Sequence, residues 1–401
     1  MKILMLTPYL PYPDSSGGQI RTQNLLKHLK KDHDITLLSL IKDPKEEEYI
    51  PILEKKFCHK VRVFRRSQKP FTLKNIFKTA FSLYPFLVVR NFSDDLRKAL
   101  AEELKTNHYD LIHVETFYAM PHLPATNIPI VLVDQTIEFK VYLHHVQHSG
   151  SLLLKPAMYL DVLKLKYWER YYWRQANRVI AVSHADKQEM LLLEPDLKVD
   201  IVPNGVNLDF FKAKSSWKSN IPTLLFVSNF NWLQNTEAAE VLIKEVFPLV
   251  KAKLHQAKVW IVGQHLPSRL LEMRSGDIDI TEVAENDPDT IKKAYYQADI
   301  FVTPLKGPGG TRLKNLAAMA SRLPIVSSTV GMSGLGIKNG VHAVIADTPQ
   351  DLADAIVDLI NYPAKAAKIA NSARLFVEKY YDYASIASGL SSIYRQVAKK
   401  E

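Results

Sequence analysis

"DIFVTPLKGPGGTRLKNLAAMASRLPIVSS", residues 299–328, joins two short apolar runs through a glycine-rich loop and a stretch with helical spacing. "DIFVTP" and "PIVSS" read as buried parallel strands, and the segment between them supplies the crossover helix that parallel strands need. Thr311 is placed to cap a helix running to about Arg322 and ending before Pro324. Leu313, Leu316, Ala317 and Ala320 recur at i, i+3, i+4 and i+7, which gives that helix one buried face. Gly307, Gly309 and Gly310 permit close backbone approach, and the free amides and dipole of the helix end attract anions. Arg312 and Lys314 add charge-assisted donors, and 307–326 holds no carboxylate, so a phosphate or diphosphate is the natural guest. The spacing is neither a Walker loop nor GxGxxG, and a glycine-rich turn with solvated basic residues would have the same composition.

The same alternation of short apolar runs and helix-length stretches fills the chain. "KILMLT", "DITLLSL", "DLIHVE", "PIVLVDQ" and "RVIAVS" form a first series of buried strands; "TLLFVSNF", "KVWIVGQ", "IDITEVA", "DIFVTP", "PIVSS" and "HAVIAD" form a second. Between them "IVPNGVNLDFFKAKSSWKSNIP" breaks the rhythm with Pro203, an Asn204-Gly205 turn and a polar run ending at Pro222. The expectation is an α/β protein of two Rossmann-like, doubly wound domains: 1–203, 204–378, and a C-terminal helix, 379–401, returning to the first. Ligands of such sheets bind at the carboxyl ends of the strands, so a shared guest is expected in a cleft between the two.

Candidate residues follow from the strand tips. Gly17-Gly18, after the first strand, open a helix and offer a second backbone anion site. Glu115 stands at a strand tip as a carboxylate available to act as a base, with His113 on the same face below it as an interior histidine or acceptor-side group. Asp134 and Gln135 end the next strand and Glu138 follows, as acceptor-side candidates or helix caps. Asp287-Pro288-Asp289 reads as an N-cap rather than a metal pair.

Composition narrows the classes. The chain has 401 residues, 47% of them apolar, and a single cysteine, Cys58, which excludes an internal disulfide. No zinc spacing and no apolar run of membrane-spanning length occur, and the first strand is too short for a signal segment, so a cytoplasmic protein is expected, soluble or peripheral on the inner membrane face. Net charge is +10, and ten basic residues with no acid lie in 55–92, interleaved with aromatics. Phe77, Phe81 and Tyr84, with Lys74 and Lys78, suggest that 55–90 meets an anionic membrane surface; a solvated helix face is the alternative. No nucleic-acid signature accompanies the charge.

Taken together, the Gly17-Gly18 loop, "ANRVIAVS", "VPNGVNLDFF", "YYQADIFVTP", "GGTRLKNLAAMASRLPIVSSTVGMSGL" and "YDYASIASGLSSIYRQV" resemble a GT-B glycosyltransferase of the retaining family 4, the glycosyl transferases group 1. "SNFNWLQNTEAAEVLIKEVFPLV" and "GGTRLK" are similar to a subgroup found with exopolysaccharide and cell-surface glycan genes. The resemblance implies a UDP- or GDP-sugar as substrate, no cofactor and no metal, and a glycan or lipid-linked acceptor. It implies a donor site of Ser228, Asn229, Gly309, Gly310, Thr311, Arg312 and Lys314, with backbone near Val283 beside the base. Arg312 and Lys314 would stabilise the departing diphosphate, which itself takes the acceptor proton. Where the family usually has two glutamates eight positions apart, this chain has Gly309 and Ala317, and Asn231 to Asn235 replace its usual Arg and Lys. A non-catalytic binding protein or a nucleotide-sugar epimerase on the same architecture is the other reading.

Overall fold

The computed structural model describes residues 1–13, 16–148, 153–215, 221–284, 287–307 and 313–399. The chain divides into two compact units: Met1–Pro203 with Ile386–Glu401, and Asn204–Ser385. Each is built on one parallel sheet. The first holds seven strands, β1 (Lys2–Thr7), β2 (Asp34–Ile41), β3 (Lys60–Arg65), β4 (Leu111–Glu115), β5 (Ile130–Asp134), β6 (Arg178–Ala181) and β7 (Val199–Ile201), in the order β3-β2-β1-β4-β5-β6-β7. The second holds β8 (Thr223–Asn229), β9 (Lys258–Gln264), β10 (Ile278–Glu282), β11 (Ile300–Thr303), β12 (Ile325–Ser327) and β13 (Val344–Ile345), in the order β10-β9-β8-β11-β12-β13. Both are Rossmann-like orders, reversing direction at β1/β4 and β8/β11, which is where such sheets open a crevice.

Burial on both faces explains why the strands are apolar runs rather than alternating ones. β8 sends Leu224 and Phe226 to one side, with Val259, Ile261, Ile300 and Val302, and Leu225 and Val227 to the other, with Val262 and Phe301. The crossover helix after β11 is Leu313–Ala320, shorter than the sequence suggests, and Asn315 to Ala320 are all buried. It stops because Arg322 turns to a left-handed φ of 55° and Leu323 N donates to Ala318 O, a closure that satisfies the last carbonyls before Pro324. Ala317, 4% exposed, packs within this core.

Two strands escape the periodicity reading. β7 is three residues long, and β3 lies within the basic segment, where Lys60 and Arg62 mask it. Glu103, itself 4% exposed, neutralises both: its Oε2 lies 3.4 Å from Lys60 Nζ and 3.0 Å from Arg62 Nη1, while Tyr109 Oη donates to Oε1. The basic segment is therefore not one interfacial element. Its first part is sheet, and Tyr84, expected among exposed rings, packs at a tilt against Trp168, ring centres 4.4 Å apart.

Asp134 ties β5 to its surroundings. Its Oδ2 accepts from Trp173 Nε1 at 2.5 Å and its Oδ1 from Phe117 N at 2.9 Å, with Trp173 unexposed and Asp134 1% exposed. Burial pushes its carboxyl up to about 7, with Glu115's charge acting the same way and both hydrogen bonds acting against it. The expectation of an acceptor-side carboxylate at Asp134 is corrected accordingly: it is an internal strut. Its folded value exceeds that of an ordinary unfolded aspartate, so this group's contribution to stability is gained as pH falls from above 7 toward 4, and lost as pH rises. Trp173→Phe removes a donor from a buried carboxylate and should cost about 1–3 kcal/mol. The loss should be larger at pH 8.5 than at pH 5.5, where Asp134 is protonated, as read by denaturant unfolding at the two pH values; an equal loss at both would show that only packing was removed.

Candidate functional site

In the second unit the sheet reverses beside β8, and the polar residues at its carboxyl end converge. Lys314 Nζ donates to Ser228 Oγ at 2.7 Å and to Asn235 Oδ1 at 2.8 Å, and lies 4.8 Å from the centre of the Phe226 ring. Asn235 Nδ2 donates to Asn229 O at 2.7 Å, and Asn229 Nδ2 to Gln264 Oε1 at 3.2 Å. Tyr295 Oη donates to Lys314 O, which fixes the helix at the residue bearing the ammonium. Of the donor residues expected from sequence, Ser228, Asn229 and Lys314 are thus brought together. Gly309, Gly310, Thr311 and Arg312 lie outside the described residues.

The close fit around Ser228 depends on Gly263 of the neighbouring strand. A Cβ there would come 1.9 Å from Ser228 O, so only glycine lets the chain pass. Val283, expected to offer backbone to a base, donates its N–H to Gly263 O at 2.8 Å and buries its side chain in the core, so that amide is already used. Beneath the helix, Asn315 is wholly buried: its Nδ2 donates to Gly331 O, and Thr303 Oγ1 bonds both Asn315 Oδ1 and Ser327 Oγ. Satisfied in this way, the network fixes the exits of β11 and β12. Sequence reasoning passed over Asn235, Gln264 and Asn315. Only the run of asparagines in 229–235 hinted at them.

In the first unit a chain of hydrogen bonds runs across the tips of β1, β4 and β5. Gln135 Nε2 donates to Tyr9 Oη and to Glu115 Oε2, each at 2.9 Å. Glu115 Oε1 lies 3.2 Å from His113 Nε2, and His113 Nδ1 lies 2.6 Å from Tyr394 Oη. His113 thus links the Glu115 carboxylate to the Tyr394 hydroxyl. Gly18 closes the group, since a Cβ there would come 2.6 Å from Tyr9 Oη; Gly17 begins the helix Gly17–Leu29, capped by Ser16.

Glu115 is not the available base that its position suggests. It has no exposed surface. Burial pushes its carboxyl up, but the hydrogen bond and charge of His113, with Arg21 and Gln135, outweigh this and hold it below the ordinary range. It is a fixed anion that orients Gln135 and His113. The strand exit beside it is strained: Thr116 has a φ of 68°, unusual for a β-branched side chain, and is held there by its N–H to Val133 O.

Glu138 differs from the other two carboxylates in being only half-buried. It begins the helix Glu138–His148, whose first amides are capped from another helix: Glu169 Oε1 accepts from Glu138 N and Oε2 from Phe139 N. Burial pushes the Glu138 carboxyl up to about 7, Asp134 adds to this and Arg90 opposes it. Of the acceptor-side candidates it is the one whose protonation can change near neutrality at a partly open position.

Comparisons with known proteins agree with this arrangement. Residues 15–210 match the model of Glycosyltransferase Family 4, and residues 221–362 that of Glycosyl transferases group 1. An uncharacterized 44.6 kDa protein in the cps region of Klebsiella pneumoniae is 22% identical over 403 residues, covering 97% of this chain and 98% of that protein. Sucrose-phosphate synthase from Thermosynechococcus elongatus superposes with a TM-score of 0.72 at 18% identity, covering 99% and 98% of the two chains. HepE from Anabaena, in complex with UDP-glucose, gives 0.67 at 17% identity, covering 99% and 100%. With two Rossmann-like units and both family models matched in chain order, the chain belongs to the glycosyl transferases group 1 and is a glycosyltransferase of GT-B fold.

Proposed function

We propose that this glycosyltransferase moves a sugar from a UDP- or GDP-linked donor to a glycan or lipid-linked acceptor, with retention and without a metal, in making a cell-surface polysaccharide or glycoconjugate. The observation that carries the reading is Lys314, an ammonium seated by Ser228 and Asn235 at the carboxyl end of β8, in the helix that follows the glycine stretch. A cation at that point favours charge developing on a departing diphosphate, and Arg312, two residues earlier in the sequence, would add a second. The Anabaena relative with bound UDP-glucose supports a nucleotide-sugar donor. Glu115, already engaged, is left to hold Gln135 and His113 in place, so the leaving diphosphate takes the acceptor proton.

Release of free nucleotide from a panel of UDP- and GDP-sugars tests the activity, and the anomeric configuration of the product tests retention. Lys314→Ala removes hydrogen bonds to a charged group, worth about 1.5–3 kcal/mol. It should weaken donor affinity roughly 10- to 150-fold, and turnover should persist in a chelator. Unchanged nucleotide affinity in the variant would move the donor site away from β8.

The acceptor side is proposed to work at an anionic membrane. No helix among the described residues is long and apolar enough to cross one. The helix Leu73–Phe81 nevertheless exposes a large apolar surface, with Phe77 61% and Phe81 87% exposed, and a second helix, Lys155–Gln175, exposes Leu160, Leu163 and Tyr167 at i, i+3 and i+7. The two are joined: Lys164 Nζ donates to Thr79 O and Ser82 O at 2.8 and 2.7 Å, and Trp168 Nε1 to Leu83 O. Lys69, Lys74 and Lys78 are exposed in and just before the first helix and Lys166 is half-buried on the second, where Asp161 is turned onto Phe86 N. Apolar side chains among lysines suit an anionic bilayer, each lysine contributing about 1 kcal/mol. Sedimentation with vesicles should therefore require anionic lipid and weaken with salt. Replacing Lys74 and Lys78 by Gln and Phe77 and Phe81 by Ser should abolish it while leaving turnover with a soluble acceptor unchanged; recovery with neutral vesicles alone, or with none, would remove the membrane from this reading.

A further inference from the structure

Arg66 and Arg90 belong by sequence to the basic segment, yet they do not join its solvated surface. Arg66 is the residue after β3, and its N–H still donates to Ile41 O as if the ladder continued. The strand alternation turns Arg65 outward, where its Nη2 lies 3.5 Å from Glu47 Oε1, and Arg66 to the opposite face, half-buried. There Arg66 Nη1 donates to Asn91 Oδ1 at 2.5 Å. The Asn91 amide cannot be reversed without loss, since its Nδ2 donates to Leu87 O at 2.7 Å. Arg90, beside Asn91 at the end of the helix Phe86–Asn91, has its guanidinium 5.9 Å from the centre of the Phe86 ring. The Nε atoms of both arginines are buried without a hydrogen-bond acceptor.

Several other arginines of this unit lie within ion-pair distance of an acid, while the wholly buried Arg21 donates to Pro203 O. Arg62 has Glu103 at 3.0 Å, Arg170 and Arg174 have Glu194 at 2.7 and 2.8 Å, and Arg178 has Asp200 at 3.4 Å. Among the described residues, Arg66 and Arg90 have no carboxylate within ion-pair reach. A guanidinium cannot shed its proton to escape burial, so two of them side by side without a counterion are a standing electrostatic penalty that a bound anion would relieve. Burial depresses the pKa of Arg66 and the charge of Arg90 acts in the same direction, while Tyr118 and Glu46 oppose it.

What surrounds the pair is rich in donors. Tyr118, on the turn Phe117–His122, feels the charges of both arginines, and Tyr142 and Glu138, on the helix Glu138–His148, feel that of Arg90. Two acids act on the pair without reaching ion-pair distance, Glu46 on Arg66 and Glu138 on Arg90, and the Glu138 carboxyl is pushed up to about 7, so it is an incomplete counterion at neutral pH. These groups stand where β3, β4 and β5 end, on the ligand-binding edge of a parallel sheet. Two phenols and two guanidinium forks match the oxygens of a phosphate ester or a carboxylate and have little to offer a neutral hydroxyl alone.

We propose that Arg66 and Arg90 form a subsite for an oxyanion, and that the acceptor of this enzyme carries an acidic group, phosphate ester or uronate, bound there. Calling the ligand the acceptor rests on the glycosyl-transfer reading above; the oxyanion subsite itself does not. The test compares glycerol 3-phosphate and glucuronate with their neutral counterparts glycerol and glucose, by calorimetric titration of the full chain and of Arg66→Gln, Arg90→Gln and the double variant. The acids should bind and the neutral compounds should not, each single variant should weaken the acid at least about tenfold, and UDP or GDP affinity should be unchanged. Tighter glycerol 3-phosphate assigns the group as phosphate, tighter glucuronate as carboxylate. Thermal unfolding separates a subsite from a structural role: replacing an uncompensated buried charge by Gln, which can still donate to Asn91, should leave Tm unchanged or raised. Equal binding of acids and neutral compounds, acid affinity retained in the double variant, or a large fall in Tm would overturn the proposal. Acid binding in a chain that binds no nucleotide would overturn the glycosyl-transfer reading and leave the subsite standing.

Discussion

Asp134 and Trp173 share a 2.5 Å hydrogen bond beyond the reach of water, and the first unit is arranged around the need to satisfy it. A parallel sheet buried on both faces has no place for polar side chains along its strands, so they gather where the strands end. There every donor and acceptor must be matched within the protein or left for a ligand. At the end of β5 the matching is complete: Asp134 takes the Phe117 amide and the Trp173 indole, and Glu169 takes the first two amides of the following helix. The cost is a pair of buried acids whose carboxyls burial pushes above their ordinary range.

The same constraint shapes the second unit with the opposite sign. Lys314 is a cation at a strand end, received by neutral oxygens of Ser228 and Asn235 and by the face of Phe226. Those partners orient the ammonium at the end of the strand. Gly263 makes it possible by letting β9 pass against Ser228 O. The wholly buried Asn315 then fixes the helix that carries Lys314 relative to β11 and β12.

Charge balance separates structure from function in the first unit. Lys60 and Arg62 are half of a closed account with Glu103, and Glu115 is settled by His113 and Gln135. Arg66 and Arg90 have no such acid. Exposed lysines and rings on the helix Leu73–Phe81 form a third class, with no carboxylate among the described residues paired to the lysines. One run of basic residues is therefore divided three ways, according to which side chains the fold turns inward.

The sequence by itself determined the class of fold, because strands buried on both faces must be apolar runs, and the family, through the resemblance that its motifs carry together. It also carried the identity of Ser228, Asn229 and Lys314 as neighbours-to-be through the resemblance. Tertiary structure alone decided the rest. β3 is hidden from periodicity because the acid that tolerates Lys60 and Arg62 lies some forty residues away in Glu103. Glu115 looks like an available base until His113, Gln135 and the returning Tyr394 enclose it. The solitude of Arg66 and Arg90 is likewise invisible in the chain order, since an ion pair, or its absence, depends on what folding brings within a few ångströms and not on what stands next in line.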